Sequence, residues 1–326
     1  MVSDDADCGK RILSNIVWSQ LEHEAYGGVV PEIAARAHME HIENVINRAI
    51  TEAGVSLSEI DAVAATAGPG LIGGVIVGVM TAKAIASVAK KPFIAVNHLE
   101  GHALTVRLTD SVPFPYLLLL VSGGHCQFLI VSGVGKYQKL GGTIDDALGE
   151  AYDKTAKMLG LGYPGGAAVE AAAKNGDPNA YKLPLPLHGR DGCDLSFSGL
   201  KTAVRLQIEK LGAIDAQKTA DICASFQYTA TKSLLERSQF AIKKFKEQHQ
   251  DGKDFVLAGG VAANQYIRGQ LQSLLAENGL SLIAPPIKLC TDNAAMIAWA
   301  GLERFRLGLS DSLDFEPRAR WPLSAF

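Results

Sequence analysis

The feature that most constrains this chain is a recurring unit: a short apolar run, a glycine-bearing turn, then a stretch of helical periodicity. Ala62 to Thr66 leads into the loop Gly68-Pro69-Gly70-Leu71-Ile72-Gly73-Gly74 and a helix predicted from about Val75 to Val88. Phe93 to Val96 leads into a helix that carries His98 and His102, and Phe255 to Ala258 ends in Gly259-Gly260 before a helix from about Ala262 to Glu277. Such alternation predicts α/β architecture with a parallel component. Pro31 to Ala53 reads as an amphipathic helix, with Ile42, Val45, Ile46, Ala49 and Ile50 on one stripe. Tyr116 to Val121 and Cys126 to Val131 read as two strands around Ser122-Gly123-Gly124-His125. That pattern predicts a β-hairpin whose turn uses glycine's access to positive φ. A helix is expected from Asp145 to Leu159, an extended Pro-rich stretch from Leu183 to Gly189, and one or two helices from Ala220 to Gln248. Leu282 to Ala284 reads as the last strand, and Asp292 opens a final apolar helix reaching about Phe305.

With 326 residues, the chain suits two domains, or two lobes sharing one cleft. Its 48% apolar and 20% charged residues fit a globular protein with a large core. No run of eighteen uninterrupted apolar residues occurs, so no membrane-spanning helix is predicted. The start, MVSDDADCGK, has no apolar signal region. Five cysteines without a CxxC pair argue against a disulfide framework and a structural zinc site, and for the reducing cytoplasm. A net charge of −3 gives no overall sign of nucleic-acid binding. Arg190, Lys201, Arg205, Lys243, Lys244 and Lys246 are scattered basic candidates whose ordinary reading is solvated helix charge.

Chemistry concentrates in a few places. His98 and His102, four apart on a predicted helix, share one face and can meet one metal ion; their ordinary reading is two histidines at a helix start. A zinc protease of the HExxH type needs glutamate directly after the first histidine. Here Leu99 stands there and Glu100 follows it, rotated by about 100° on a helix, which disfavours protease chemistry. Asp292 reads either as a helix cap or as a third, oxygen ligand; two histidines and one carboxylate leave open positions on a metal. Ser122-Gly123-Gly124, Gly165-Gly166 and Gly259-Gly260 suggest phosphate loops, because glycine lets backbone N–H groups approach an anion. No GxxxxGK[ST] or GxGxxG is present. Asp153 reads as an acceptor for ribose hydroxyls or as an ordinary helical aspartate.

These stretches together resemble the bacterial TsaD family, the tRNA N6-adenosine threonylcarbamoyltransferases, formerly described as O-sialoglycoprotein endopeptidases. The resemblance rests on Tyr26-GGVVPEIAARAH-Met39, Asn97-HLEGHALT-Val106, Leu120-VSGGHCQ-Phe128 and Asp145-DALGEAYDKTAKMLGLGYPGG-Ala167. It continues through Leu195-SFSGLKTAV-Arg205, Leu257-AGGVAANQYIR-Gly269 and Leu289-CTDNAAMIAWAG-Leu302. It implies an actin- and sugar-kinase-like (ASKHA) fold of two α/β lobes. The expected N-terminal lobe is 1–112, with the C-terminal helix in 293–326 packing back on it, and the C-terminal lobe is 113–292. The resemblance implies one divalent metal, Fe²⁺ or Zn²⁺, on His98, His102 and Asp292. It places the substrate along Val121, Ser122, Gly123, Gly124 and His125, and the nucleotide near Asp153, Gly166, Gly259, Gly260 and Asn264. The activity implied is transfer of the threonylcarbamoyl group from threonylcarbamoyl-AMP to N6 of the adenosine 3′ of the anticodon, in tRNAs reading codons that begin with A, with AMP released. The partners implied are tRNA and the accessory proteins of the pathway, TsaB- and TsaE-like, with TsaC-like donor synthesis.

Two departures from the family pattern stand out. Family members begin with a strand and a Ser/Thr-Cys-Asp-Asp loop, whereas here MVSDDADCGKRILSN stands where the second strand is expected. The fold is therefore expected to lack its first strand and to be less stable or less active for it. After Gly166 the family has Pro and, four residues on, Asp; here Ala167 and Glu170 occupy those places. His125 is the one side chain offered as a general base, its ordinary role being a turn residue that donates to a phosphate. Two other classes stay open at this point: a non-catalytic nucleotide- and metal-binding scaffold, and an actin-fold ATPase or kinase. Histidine ligands speak against the latter, since phosphotransfer usually uses Mg²⁺ on carboxylates.

Overall fold

The computed structural model describes residues 1–5, 9–18 and 30–323. Cys8 and Tyr26 to Val29 lie outside the described residues. The chain divides into two compact units, Met1–Ser111 with Val134–Lys136 and Thr291–Phe326, and Val112–Gly133 with Tyr137–Cys290.

The second unit is built on a five-stranded sheet. Strands β5 (Tyr116–Val121) and β6 (Cys126–Gly133) form the expected antiparallel hairpin, with Val121 opposite Cys126. β7 (Lys136–Gly142) extends it on one side. β8 (Asp254–Ala258) runs parallel to β5, and β9 (Ser281–Ile283) parallel to β8, giving the order β7-β6-β5-β8-β9. All six residues of β5 are buried, as a central strand covered on both faces requires. Helices α4 (Leu148–Met158), α5 (Gly165–Ala173), α6 (Ser198–Leu211) and α7 (Ala216–Gln248) supply the cover, with α8 (Gln265–Glu277) and the short α9 (Ile287–Cys290). The stretch predicted as one or two helices is a single one, α7. Asp215 caps its start, and Phe226, Leu234 and Phe245 enter the core that also holds Leu119, Phe128 and Leu257.

The first unit contains two separate two-stranded sheets. β1 (Val2–Asp5) and β2 (Gly9–Ile12) pair antiparallel, while β3 (Val63–Gly68) and β4 (Phe93–Asn97) pair parallel. Helices α1 (Pro31–Ala53), α2 (Ile72–Ala89), α3 (His98–Thr109) and α10 (Ala294–Arg306) complete it. β3 and β4 lie between two helix layers. α2 packs Val79, Ala82 and Ala86 on the side of Phe93 and Ala95. α10 lies on the other side: a Cβ on Gly301 would stand 2.5 Å from Ala64 and 3.8 Å from Val96. By length and composition alone α2 is apolar enough to cross a membrane, with a mean hydropathy of 1.8, a test that a helix packed in a protein core also passes. Its interruption by Thr81, Lys83 and Ser87 hides it from a search for uninterrupted apolar runs. One side of α2 is packed in the unit's core, and Lys83 donates to the carbonyl of Phe315.

Candidate functional site

The first cluster grows from the junction of β4 and α3. The Asn97 side chain accepts from the backbone N–H of Leu99 and donates to the carbonyl of Trp321, so the helix starts abruptly at His98. His98 and His102 then stand one turn apart, their rings edge to face at 4.8 Å between centroids. Gly101 between them is required by packing: a Cβ there would stand 2.8 Å from Ile297 and 3.3 Å from Met296 of α10. Two ion pairs fasten α3 to α10. Glu100 is fully buried and meets Arg304 at 3.3 Å, and Arg107 donates to Glu303 at 2.8 Å. Glu100 also accepts from the backbone of Gly135 at 3.2 Å.

Asp292 comes to this pair from just before α10. The alternative that it caps that helix is not met: Asn293 takes the cap, accepting from the N–H of Met296 at 3.0 Å. Its carboxylate is left to the histidines. Asp292 Oδ1 lies 3.4 Å from His98 Nε2 and 3.2 Å from His102 Nε2. The ligand atoms of the three residues all lie within 4.8 Å of one another. Burial lowers the pKa of His102, favouring the neutral ring that binds metals, although Asp292 pulls the other way. For Asp292 the surrounding protein disfavours charge, but the contacts from His102 and His98 outweigh this and hold it well below the usual carboxylate range. Two imidazoles and a carboxylate are a donor set suited to zinc or iron(II). The buried Nδ1 of His102 has no hydrogen-bond partner among the described residues, leaving the usual outer support of a ligand histidine unmet.

The second cluster lies in the second unit at the carboxyl ends of the parallel strands β5 and β8, the place where open α/β sheets bind ligands. Its members form a closed circuit of contacts. Gly259, at φ +92°, passes so close to β5 that a Cβ would stand 2.3 Å from the carbonyl oxygen of Val121. In the adjoining turn Ser122 N–H donates to the carbonyl of His125 at 2.7 Å, and His125 N–H donates to Ser122 Oγ at 3.0 Å. Gly149 N–H donates to the Ser122 carbonyl at 3.2 Å and begins the path along α4 to Asp153. Asp153 Oδ1 accepts from Gly165 at 3.0 Å, at the start of α5. Glu170 of α5 accepts from the N–H groups of Gln265 and Tyr266 at 2.7 and 3.2 Å, at the start of α8. Asn264 caps α8 through Ile267 and donates to Gln227, and the chain from Asn264 leads back to Gly259.

This circuit joins Val121, Ser122, Asp153, Glu170, Gly259 and Asn264 as neighbours. Gly123, Gly124, Gly166 and Gly260 have open space where a Cβ would be. One expectation fails: neither Gly123 nor Gly124 takes positive φ, because the four-residue turn is closed by Ser122 and His125 instead. Burial raises the pKa of Asp153, with the N–H groups of Gly165 and Gly166 acting against it. One oxygen of Glu170 and both ends of the Asn264 side chain are engaged within the protein. Gly149 was missed in the sequence because nothing local marks a glycine that another chain segment approaches from outside.

The sequence profile described as "TsaD: tRNA N6-adenosine threonylcarbamoyltransferase" matches residues 11–299. The chain belongs to this family. It is 62% identical over 318 residues to the tRNA N6-adenosine threonylcarbamoyltransferase of Rhodospirillum rubrum, covering 97% of this chain and 88% of that one. To the Brucella anthropi protein of the same name it is 59% identical over 326 residues, covering 99% and 91%. Among solved structures it is similar to HypF of T. kodakarensis, with a TM-score of 0.60 and 16% identity, over 82% of this chain and 43% of HypF. A second HypF, crystallised in a phosphate- and nucleotide-bound form, gives a TM-score of 0.51 and 11% identity, over 69% of this chain and 38% of that one. The chain thus spans less than half the length of these HypF chains, and the likeness concerns the fold, an actin-like ASKHA α/β fold.

Proposed function

We propose that this chain transfers a threonylcarbamoyl group from threonylcarbamoyl-AMP to N6 of the adenosine 3′ of the anticodon in tRNAs reading A-starting codons. The observation that carries this reading is the convergence of His98, His102 and Asp292 in a member of this family, with Asn293 relieving Asp292 of capping. These three residues would hold one divalent metal, iron or zinc, and when bound it would polarise a carbonyl oxygen of the donor. The rest falls to the chain's own groups. Glu100 and Arg304 keep α3 and α10 in register, which fixes the three donor atoms. In the second unit, the N–H groups of the Ser122–His125 turn and of the Gly259–Gly260 segment would face the adenylate's phosphate. Asp153, Gly166, Glu170 and Asn264 would bound its sugar and base. The tRNA amine attacks the carbamoyl carbon, the bond to the phosphate oxygen breaks, and AMP departs as the amine loses a proton. An exocyclic amine is a poor nucleophile, so positioning carries much of the rate. His125, half-buried in the turn, is the one side chain we offer for receiving that proton.

Further support bears on partners and place. Ile72, Ile76 and Met80 form an exposed stripe on α2, 44%, 43% and 55% exposed at helical spacing. We assign that stripe to a TsaB-like accessory protein, with TsaE- and TsaC-like partners completing the pathway. Lys154, Lys157, Lys201 and Arg205 border one shallow pocket between α4 and α6 and are our choice for tRNA phosphates. Cys126, Cys193, Cys223 and Cys290 are buried free thiols, in keeping with the cytoplasm.

The test is a transfer assay with generated threonylcarbamoyl-AMP, the accessory proteins and unmodified tRNA, reading the nucleoside by mass spectrometry. Modified adenosine is expected, with loss of at least about a hundredfold and of bound metal in His98→Ala. Metal retained with no transfer by the parent chain would favour the scaffold reading.

A further inference from the structure

Beyond α10 the chain runs back across the first unit. Asp311 pins the start of this return: its N–H donates to the carbonyl of Phe93 and its carboxylate accepts from Ala95 N–H, both at 2.8 Å. Further on, Arg318 N–H donates to the carbonyl of Ala67 at 2.8 Å, and the carbonyl of Ala319 accepts from Gly70 N–H at 3.2 Å. The approach to the end of β3 is so close that a Cβ on Gly68 would fall on the Arg318 carbonyl. From Ser312 to Arg320 every residue is exposed or half-buried. Trp321 differs: it is 5% exposed and joins the core of Ala67, Val79 and Phe93. The Arg318 guanidinium covers its ring at 5.1 Å. The carbonyl of Trp321 accepts from Asn97 Nδ2 at 2.9 Å, one residue before His98.

We infer that Asn97 is a positioning residue for the histidine pair and Trp321 its anchor, so that the returning segment 311–321 is a strap on which metal affinity depends. This rests on the reading of His98, His102 and Asp292 as metal ligands. The first N–H groups of a helix have no partner within it. His98 is the first residue of α3, so its backbone is fixed from outside, by Asn97 Oδ1 accepting from Leu99 N–H at 2.9 Å. The Asn97 amide is planar and fully buried, and both of its ends are engaged, one by α3 and one by the strap. The hold on Trp321 therefore sets the angle at which Asn97 meets the helix. Glu100 and Arg107 secure α3 only further along, to α10. Such a coupling is reciprocal: if the docked strap tightens metal binding, bound metal holds the strap down by the same factor.

The test is cobalt(II) titration of the metal-free full chain, read by visible absorption and by competition with a chelator, together with hydrogen exchange. Asn97→Ser keeps a capping oxygen for α3 but is too short to reach Trp321. Trp321→Leu leaves Asn97 in place and loosens its anchor. Each is expected to weaken cobalt binding about tenfold or more. Leu119→Ala, a core truncation in the second unit, is expected to bind cobalt as the parent does. In the parent, saturating cobalt is expected to slow exchange at the Gly70 and Arg318 amides; in Asn97→Ser it is expected to leave them unchanged. Unchanged cobalt affinity in Asn97→Ser would overturn the inference. So would an equal loss in Leu119→Ala, or strap amides indifferent to cobalt in a parent that binds it. A parent that binds no cobalt sinks the metal reading instead. Positioning is then decided without metal: the ring-nitrogen NMR signals of His98 and His102 are expected to move in Asn97→Ser, and signals that stay where they are in the parent overturn it.

Discussion

The two units both place strands between helix layers, yet they finish their sheets differently. In the second unit β5 has a strand on each side and every one of its residues is buried. In the first unit β3, apolar but built from smaller side chains in Val63-Ala64-Ala65, has one strand neighbour among the described residues, and only its last two residues are buried. The contrast extends to helices: α7 sinks a long row of side chains into the core, while α1, of 23 residues, has none fully buried. A strand's burial thus follows both its neighbours and its own composition. The first unit also fastens α3 to α10 with charges, Glu100 with Arg304 and Arg107 with Glu303.

The largest expected effect breaks one of those fastenings. Glu100→Ala leaves Arg304, itself only 12% exposed, beside an empty carboxylate site, at a cost of about 3–5 kcal/mol by urea unfolding. Glu209→Ala removes a pair in the second unit whose side chains are 56% and 55% exposed, and about 0.5 kcal/mol or less is expected. Equal losses would mean that the first unit does not depend on its buried pair.

The second effect compares the sheets themselves. Leu119→Ala in the middle of β5 opens a cavity in a fully buried layer and should cost about 2–5 kcal/mol. Val63→Ala in β3, half-buried, should cost about 1 kcal/mol. Urea midpoints measured separately for each unit, by a probe placed in it, would check the ratio. A Val63→Ala loss matching that of Leu119→Ala would show β3 to be packed as tightly as β5.

Legibility in the sequence followed locality. His98 and His102 were visible because a four-residue spacing is a helix face, and the hairpin around Ser122 to His125 because two apolar runs flank it. Asp292 could be read as cap or ligand, and only the structure shows Asn293 taking the cap. Glu100 and Arg304 are 204 residues apart, and no local pattern pairs a carboxylate with a guanidinium at that distance. The circuit through Gly149, Gly165 and Glu170 was hidden for the same reason: each link is a contact between segments, made by backbone groups that the sequence does not distinguish. β7, α5 and α6 escaped notice because their residues lack sustained periodicity, and packing rather than pattern fixes them.

The smallest expected effect concerns two aspartates of the second unit with opposite pH signatures. At Asp145 burial favours the neutral acid, but hydrogen bonds from Ser196 Oγ and from the N–H groups of Phe197 and Ser198 prevail, and its pKa lies below the ordinary 3.8. The native state then binds fewer protons than the unfolded chain, so Asp145 contributes stability above about pH 4 that is lost as pH falls through its native value. At Asp153 burial prevails over the N–H groups of Gly165 and Gly166, and the pKa lies above 3.8. There the native state keeps its proton longer, and stability is lost as pH rises from 3.8 through the native value. Asparagine is neutral throughout and retains an acceptor at each position. Relative to the parent, Asp145→Asn should therefore be less stable at pH 7 than at pH 3, and Asp153→Asn more stable at pH 7 than at pH 3. Thermal midpoints of the parent and both variants between about pH 3 and 7 cancel the titration of all other groups and leave these two slopes. Slopes of the same sign would mean that the carboxylate of Asp153 is held by Gly165 and Gly166 more strongly than its burial opposes, and that this corner of the circuit is built to carry a charge.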